Sequence, residues 1–169
     1  MLVTRVREKD IFAVDAIFRQ ARKYFRENGI PQWQAEYPGV ADIRKDMAQG
    51  IGFVALKDDE AVGYCAISAG EDPTYQVIEH GEWLNDEPYV VIHRVCVRND
   101  MKGKNVASYL VAQAARVARF HRMRNLRVDT HVLNTPMRRL LRKQGFEPCG
   151  IIYLADGAER LAHQKILDE

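Results

Sequence analysis

The sequence predicts an α/β protein built on one mixed sheet, with elements in the order β-α-α-β-β-β-α-β-α-β-β. Three observations carry this expectation. The run Val90–Val97 is β-branched and nearly all apolar, broken only by His93 and Arg94, which suits a strand covered on both faces in mid-sheet. From Val106 onward apolar residues return at helical spacing, through Leu110, Val111, Ala114, Val117 and Ala118. Between them, Arg98–Ala107 is a polar, Gly-containing turn that feeds straight into the helix. At 169 residues the chain is expected to form a single domain, 1–169, with a substantial core.

The remaining elements follow in order. Leu2–Arg7 alternates as a short first strand, and Lys9-Asp10 opens a long helix with Ile11, Phe12, Val14, Ile17, Phe18, Ala21 and Phe25 at helical spacing, closed by Asn28-Gly29. Ile30–Gly39 is a loop broken by Pro31 and Pro38, and a second helix covers about Val40–Ala48. Ile51–Leu56 and Glu60–Ala69 read as a hairpin around Lys57-Asp58-Asp59. Gly70–Glu87 has no period and reads as an irregular insertion with one helical turn near Tyr75. After the central strand and its helix, which runs to about Met123, come a strand at Leu126–Thr130 and a helix at Thr135–Gln144, with Pro136 in its first turn. Strands at Phe146–Leu154 and Arg160–Ile166, joined across Asp156-Gly157, end the chain.

Composition narrows the function. No run approaches the roughly 18 apolar residues of a membrane span, and the first residues lack the apolar stretch of a signal peptide, so neither a membrane partner nor export is expected. Cys65, Cys96 and Cys149 are isolated and odd in number, with no metal spacing, which points to a reducing cytoplasm and no metal. The net charge of +2 hides an asymmetry: Arg98 to Lys143 holds twelve Lys/Arg against Asp100 and Asp129, so that segment is +10 and the remainder −8. Such a band suits a ligand with several phosphates. A nucleic-acid partner is not expected, because no aromatics interleave with these charges.

The turn has the makings of an anion site on physical grounds. A helix start leaves backbone N–H groups without internal partners and carries the positive end of the macrodipole. Gly103 permits a positive φ and close approach, while Lys102 and Lys104 add charge. The run Val95–Ala107, followed by Asn134…Met137…Leu140-Leu141…Gly145-Phe146, resembles the GNAT superfamily of N-acetyltransferases, over nearly the whole chain and most sharply from Val90 to Phe146. The resemblance implies a mixed, mostly antiparallel sheet with splayed central parallel strands flanked by helices. It implies acetyl-CoA as co-substrate, its pyrophosphate on the turn at Lys102, Gly103, Lys104, Asn105, Val106, Ala107 and Ser108, and its pantetheine and thioester carbonyl on Val95 and Val97. Asn134 is either a pantetheine ligand, as the resemblance implies, or a helix N-cap.

Three positions depart from the family pattern. Lys102 stands where Arg or Gln is usual. Asn105 stands in place of the central Gly, and Asn is among the non-Gly residues that best tolerate positive φ. Leu141 stands where many members have the Tyr that protonates the departing thiolate. The amine needs a base, and His93 is the residue of the central strand that titrates near neutrality. Period 2 aligns it with Val91, Val95 and Val97, and the resemblance allows a catalytic His there; a buried histidine satisfied by a neighbour is the other reading. Arg94 faces the other way and needs a partner, for which Asp129 is the candidate. Trp33, Tyr37 and Tyr75, with Trp83, border the acceptor pocket, as the resemblance implies, or pack over the sheet end; His131 and Tyr153 could line the acceptor site.

The resulting expectation is direct acetyl transfer from acetyl-CoA to a primary amine of a small molecule or peptide. A non-catalytic acyl-CoA sensor of the same fold is the alternative. Dimers are common in the family, which leaves a homodimer open.

Overall fold

The computed structural model describes residues 1–168. Its elements are β1 (Leu2–Arg5), α1 (Ile11–Glu27), α2 (Val40–Ala48), β2 (Gly52–Lys57), β3 (Glu60–Ala69), β4 (Tyr89–Val97), α3 (Val106–Phe120), β5 (Asn125–Thr130), α4 (Thr135–Lys143), β6 (Glu147–Tyr153) and β7 (Glu159–Ile166). The strands follow the order β1-β2-β3-β4-β5-β7-β6 in a mostly antiparallel seven-stranded sheet, with β4 and β5 as its parallel pair. Two compact units are distinguished: Met1–Ile67 with Arg94–Gln113, and Ser68–His93 with the chain from Ala114 on. Among the described residues no helix is long and apolar enough to cross a membrane.

In the first unit, α1 buries Ile11, Val14, Ile17 and Phe18 against Val54, Leu56, Tyr64 and Cys96 from the strands and Ile43 of α2. Each such side chain contributes about 1.5–3 kcal/mol on leaving water. The start of α1 is held by Asp10, whose carboxylate accepts from the Arg7 backbone N–H at 2.9 Å and from its guanidinium at 2.8 and 3.0 Å. Its end is the expected Gly stop: Gly29 sits at φ 62 while the Ile30 N–H donates back to the Phe25 carbonyl at 2.8 Å. The β2–β3 hairpin closes through Asp58 and Asp59, both left-handed at φ 51 and 62, with Lys57 opposite Glu60. Two positive φ values are what a two-residue turn of type I′ demands, and Asp accepts them better than most residues.

In the second unit, β5 pairs with β7 and β7 with β6, both antiparallel, while β4 pairs with β5 over Tyr89–Val91 against Asn125–Arg127. Tyr75, Tyr89, Val91, Ile152 and Ala162 form its core, with Ile78, Trp83 and Leu154 against it. The insertion between β3 and β4 has its expected turn, a 3₁₀ stretch at Pro73–Tyr75. A cation closes this unit: the Arg127 guanidinium lies 4.1 Å from the Trp83 ring centre and 4.0 Å from that of Tyr89, and donates to the Asn85 carbonyl at 2.8 Å. Aromatic faces on both sides offset part of the desolvation cost of this buried charge.

One expectation fails inside β4. Arg94 has φ 54, so the strand does not alternate through it. Period 2 therefore cannot be carried from His93 across to Val95 and Val97, and no common face follows for them. A left-handed Arg costs about 1–3 kcal/mol, and such residues persist only where their surroundings hold them.

Candidate active site

The turn before α3 has the backbone of an anion cradle. A 3₁₀ stretch at Asn99–Met101 leads into Lys102, and two left-handed residues follow, Gly103 at φ 77 and Asn105 at φ 63. The Tyr109 N–H donates to the Asn105 carbonyl at 3.3 Å, so Val106 and Ala107 lie in the first turn, where backbone N–H groups have no carbonyl four residues earlier to reach. Lys102, Gly103, Lys104 and Asn105 are exposed, Ala107 and Ser108 are half-buried, and Val106 is buried as the anchor of the helix start. The Lys102 ammonium lies 4.8 Å from the Tyr24 ring centre, which tethers that charge beside the turn. A Cβ on Gly103 would meet nothing within 4 Å, so the space over this backbone is open to a ligand. Open backbone, two left-handed residues, two lysines and a helix start suit a pyrophosphate. The base of the turn is stiffened by Arg98, whose guanidinium reaches Asp100 at 2.7 and 3.0 Å. Val95 and Val97 are half-buried on the last part of β4.

Arg94 does not pair with Asp129. Its Nε and Nη2 donate to the two oxygens of Asp46 at 3.0 and 2.5 Å, and its Nη1 donates to the Tyr37 hydroxyl at 3.2 Å. Asp46 is buried on α2 and also accepts from the Tyr64 hydroxyl at 2.7 Å. A bidentate guanidinium is the partner a buried carboxylate needs. It also supplies the restraint that holds Arg94 left-handed.

His93 meets a residue that the sequence reading did not single out. Its Nε2 lies 3.2 Å from Asp72 Oδ2, and the imidazole is 27% exposed, so it is reachable from solvent and not a sealed core histidine. Asp72 caps the Pro73–Tyr75 turn: its Oδ1 accepts from the Thr74 N–H at 2.9 Å and from the Thr74 hydroxyl at 2.7 Å. The Asp72 N–H donates to the Tyr89 hydroxyl at 3.1 Å. The hydrogen bond from His93, aided by those from Thr74, holds the Asp72 carboxyl down to about 2 despite burial. Beside this pair, the Tyr75 hydroxyl donates to Asp129 Oδ2 at 2.7 Å. Burial pushes the Asp129 carboxyl up, against the Tyr75 hydrogen bond and the nearby charges of His93 and Arg160. The Tyr75 hydroxyl is pushed well up, by burial first and then by Asp129. The one sequence signal at Asp72 is Asp-Pro, a turn opener, which says nothing of His93.

The other expected residues have roles in the packing and hydrogen bonding around them. Asn134 is the N-cap of α4, its Oδ1 accepting from the Met137 N–H at 3.3 Å. Leu141 is buried. Trp33 packs edge-on against Phe18 and Phe25, at ring separations of 5.8 and 5.5 Å, whereas Tyr37 is 46% exposed beside Arg94. Tyr75 is buried between Trp83 and Tyr89, so it offers a hydroxyl to Asp129 and not an open ring face. His131 Nδ1 accepts from the Leu133 N–H at 3.1 Å, and the Tyr153 hydroxyl donates to Glu79 at 2.9 Å. Among the described residues no group of three or more His, Cys, Asp or Glu side chains could hold a metal ion.

Residues 14–146 match the acetyltransferase (GNAT) family. The structure is similar to that of a GNAT-family acetyltransferase from Streptococcus agalactiae 2603, with a TM-score of 0.89 and 30% identity over 99% of this chain and 96% of that one. It is also similar to a ribosomal-protein-alanine N-acetyltransferase from Brucella melitensis, with a TM-score of 0.70 and 23% identity over 99% and 100%. A third similar chain belongs to the NatC complex bound to Gag peptide and CoA, at a TM-score of 0.62 and 14% identity over 99% and 98%. At these last two identities the likeness is one of fold. No curated protein sequence matches the chain.

Proposed function

Since the chain belongs to the acetyltransferase (GNAT) family, we propose that it moves an acetyl group from acetyl-CoA directly to a primary amine of a small molecule or peptide. The observation that carries this reading is the open turn at Lys102–Asn105, with Gly103 and Asn105 left-handed ahead of α3, inside a chain of that family. Acetyl-CoA would bring an activated carbonyl and a thiolate leaving group. Backbone N–H groups from Gly103 to Ser108, with Lys102 and Lys104, would hold its pyrophosphate, and the backbone of Val95 and Val97 its pantetheine and carbonyl. Asn134 already caps α4, so a contact from it to the pantetheine would come in addition to that role.

His93 is the base in this reading, taking the proton of the attacking amine. Its partial exposure and its Asp72 partner support that role. Tyr37 is the exposed aromatic left for the acceptor side; Trp33 and Tyr75 are taken up by packing against Phe18 and Phe25 and against Trp83 and Tyr89. Leu141 has no proton to give, so the departing thiolate takes its proton from solvent. Free Cys65, Cys96 and Cys149 support a reducing, cytoplasmic setting.

The test is a panel of amines and peptides assayed by release of the CoA thiol, beside calorimetry with acetyl-CoA. Binding and turnover are expected. His93→Ala should lower the rate on the order of 10²–10⁴ with little change in acetyl-CoA affinity. No binding at millimolar acetyl-CoA would overturn the reading. Binding without turnover of any acceptor would favour an acyl-CoA sensor, the reading that the buried Leu141 supports.

A further inference from the structure

We infer that Asp72 is a positioning residue for His93, fixing the imidazole with its proton on Nε2 so that Nδ1 is the nitrogen that accepts the amine proton. The inference rests on the reading of His93 as base. A neutral imidazole has one N–H donor and one acceptor nitrogen, and its tautomer is set by what the ring meets. Here Nε2 meets Asp72 Oδ2 at 3.2 Å. An ionised carboxylate only accepts, so the nitrogen facing it must carry hydrogen.

The carboxylate is itself fixed from three directions. Thr74 donates to Oδ1 through its N–H at 2.9 Å and its hydroxyl at 2.7 Å, and the Asp72 N–H is tied to the Tyr89 hydroxyl at 3.1 Å. Pro73 sets the backbone angle at the start of the turn. Tyr89 and His93 share β4, so one strand carries both the imidazole and the group that anchors its partner. Turning Asp72 away from His93 breaks the Thr74 bonds.

The other group facing His93 is Asp129 on β5, which accepts from Tyr75 and feels the charge of Arg160 on β7. With Oδ2 of Asp129 accepting the hydrogen bond of the Tyr75 hydroxyl, Asp72 is the carboxylate within reach of the ring. The step balances simply. The amine nitrogen forms its bond to the acetyl carbon and its proton passes to Nδ1. The thioester C–S bond breaks and the thiolate takes a proton from solvent. The imidazolium formed beside Asp72 then returns its proton to solvent. The two hydrogen bonds from Thr74 that cap the turn also hold the Asp72 carboxylate in place for the ring.

The test reads the tautomer directly by ¹⁵N NMR of the His93 ring, alongside steady-state kinetics. In the wild type the proton is expected on Nε2. Asp72→Asn keeps the size and can still accept from Thr74, but its amide can donate to Nε2, so the proton should move to Nδ1. Then kcat should fall on the order of 10²-fold, as for a base held in the wrong tautomer, with the KM for acetyl-CoA unchanged. Thr74→Val leaves the carboxylate but loosens it, and should give a smaller fall in kcat with the proton still mainly on Nε2. It serves as the second variant should Asp72→Asn fold poorly. A wild-type proton on Nδ1, or unchanged kcat in a folded Asp72→Asn, overturns the inference. Full activity in His93→Ala overturns the base reading beneath it, whatever the tautomer proves to be.

Discussion

Gly63 on β3 should be the residue on which the turn before α3 is seated, and Gly63→Ala tests this. A Cβ there would lie 2.7 Å from Val106 Cγ1, 3.1 Å from the Cys96 carbonyl oxygen and 3.5 Å from Leu110 Cδ1. The first contact is about 0.7 Å short of the 3.4 Å at which ordinary contact begins. Neither side yields easily. The Cys96 oxygen is backbone of β4, and Val106 is a buried β-branched residue with one strongly preferred helical rotamer. The helix start must therefore move outward, or Val106 must leave its rotamer. Overpacking of this kind costs about 1–3 kcal/mol, which for a chain of this size lowers the Tm by roughly 3–10 °C. Because Val106 opens α3, the shift passes to the N–H groups next to Asn105, and acetyl-CoA affinity should drop about tenfold, the equivalent of ~1.4 kcal/mol. Thermal unfolding and calorimetry measure both. Adding Val106→Ala should recover part of each loss, since it removes the clashing methyl groups. A Gly63→Ala protein with wild-type Tm and affinity would refute the packing argument.

Asn105→Gly should bind acetyl-CoA as well as the wild type, while Asn105→Val should bind more weakly, because a β-branched residue resists the φ of 63 found there; equal affinities by calorimetry for all three would count against the cradle. Arg94→Ala removes the cation from buried Asp46 and should destabilise by about 3 kcal/mol in urea unfolding, and a loss below about 1 kcal/mol would show that the pair is dispensable. Asp72, whose carboxyl is held down to about 2 from 3.8, adds stability that is complete above about pH 4 and is lost as the pH falls through about 2. With the pair partly exposed and screened, its worth is on the order of 1 kcal/mol. Urea unfolding of wild type and Asp72→Asn should therefore differ at pH 5 and converge near pH 2, and a gap constant with pH would contradict the assignment.

Most of the architecture was legible from the order of residues because it rests on short-range causes. The 3.6 period of Ile11, Val14, Ile17 and Phe18, the stop at Gly29, and the Asp58-Asp59 turn each depend on residues a few positions apart. The left-handed Asn105 was legible through the resemblance, which has its central Gly at that position, and Asn tolerates the same conformation. Element ends were less so. The central helix stops at Phe120 and not near Met123, since the last turn carries little apolar pattern to mark its end.

Partnerships of charge were decided by tertiary structure alone. Arg94 was matched with Asp129 on the assumption of unbroken alternation, but its left-handed backbone removes that alternation, and its partner Asp46 lies 48 residues away on a helix. Asp129 takes instead the hydroxyl of Tyr75, 54 residues distant, from an insertion with no period to read. That insertion also delivers Asp72 to His93. What the sequence by itself determined was each side chain's chemistry, the family and the shape of the turn, all properties of contiguous residues. Which carboxylate meets which cation depends on strand register and on where an aperiodic segment comes to rest. Those are outcomes of the packed core, in which burial makes an unpaired charge too costly to leave and so selects the pairing.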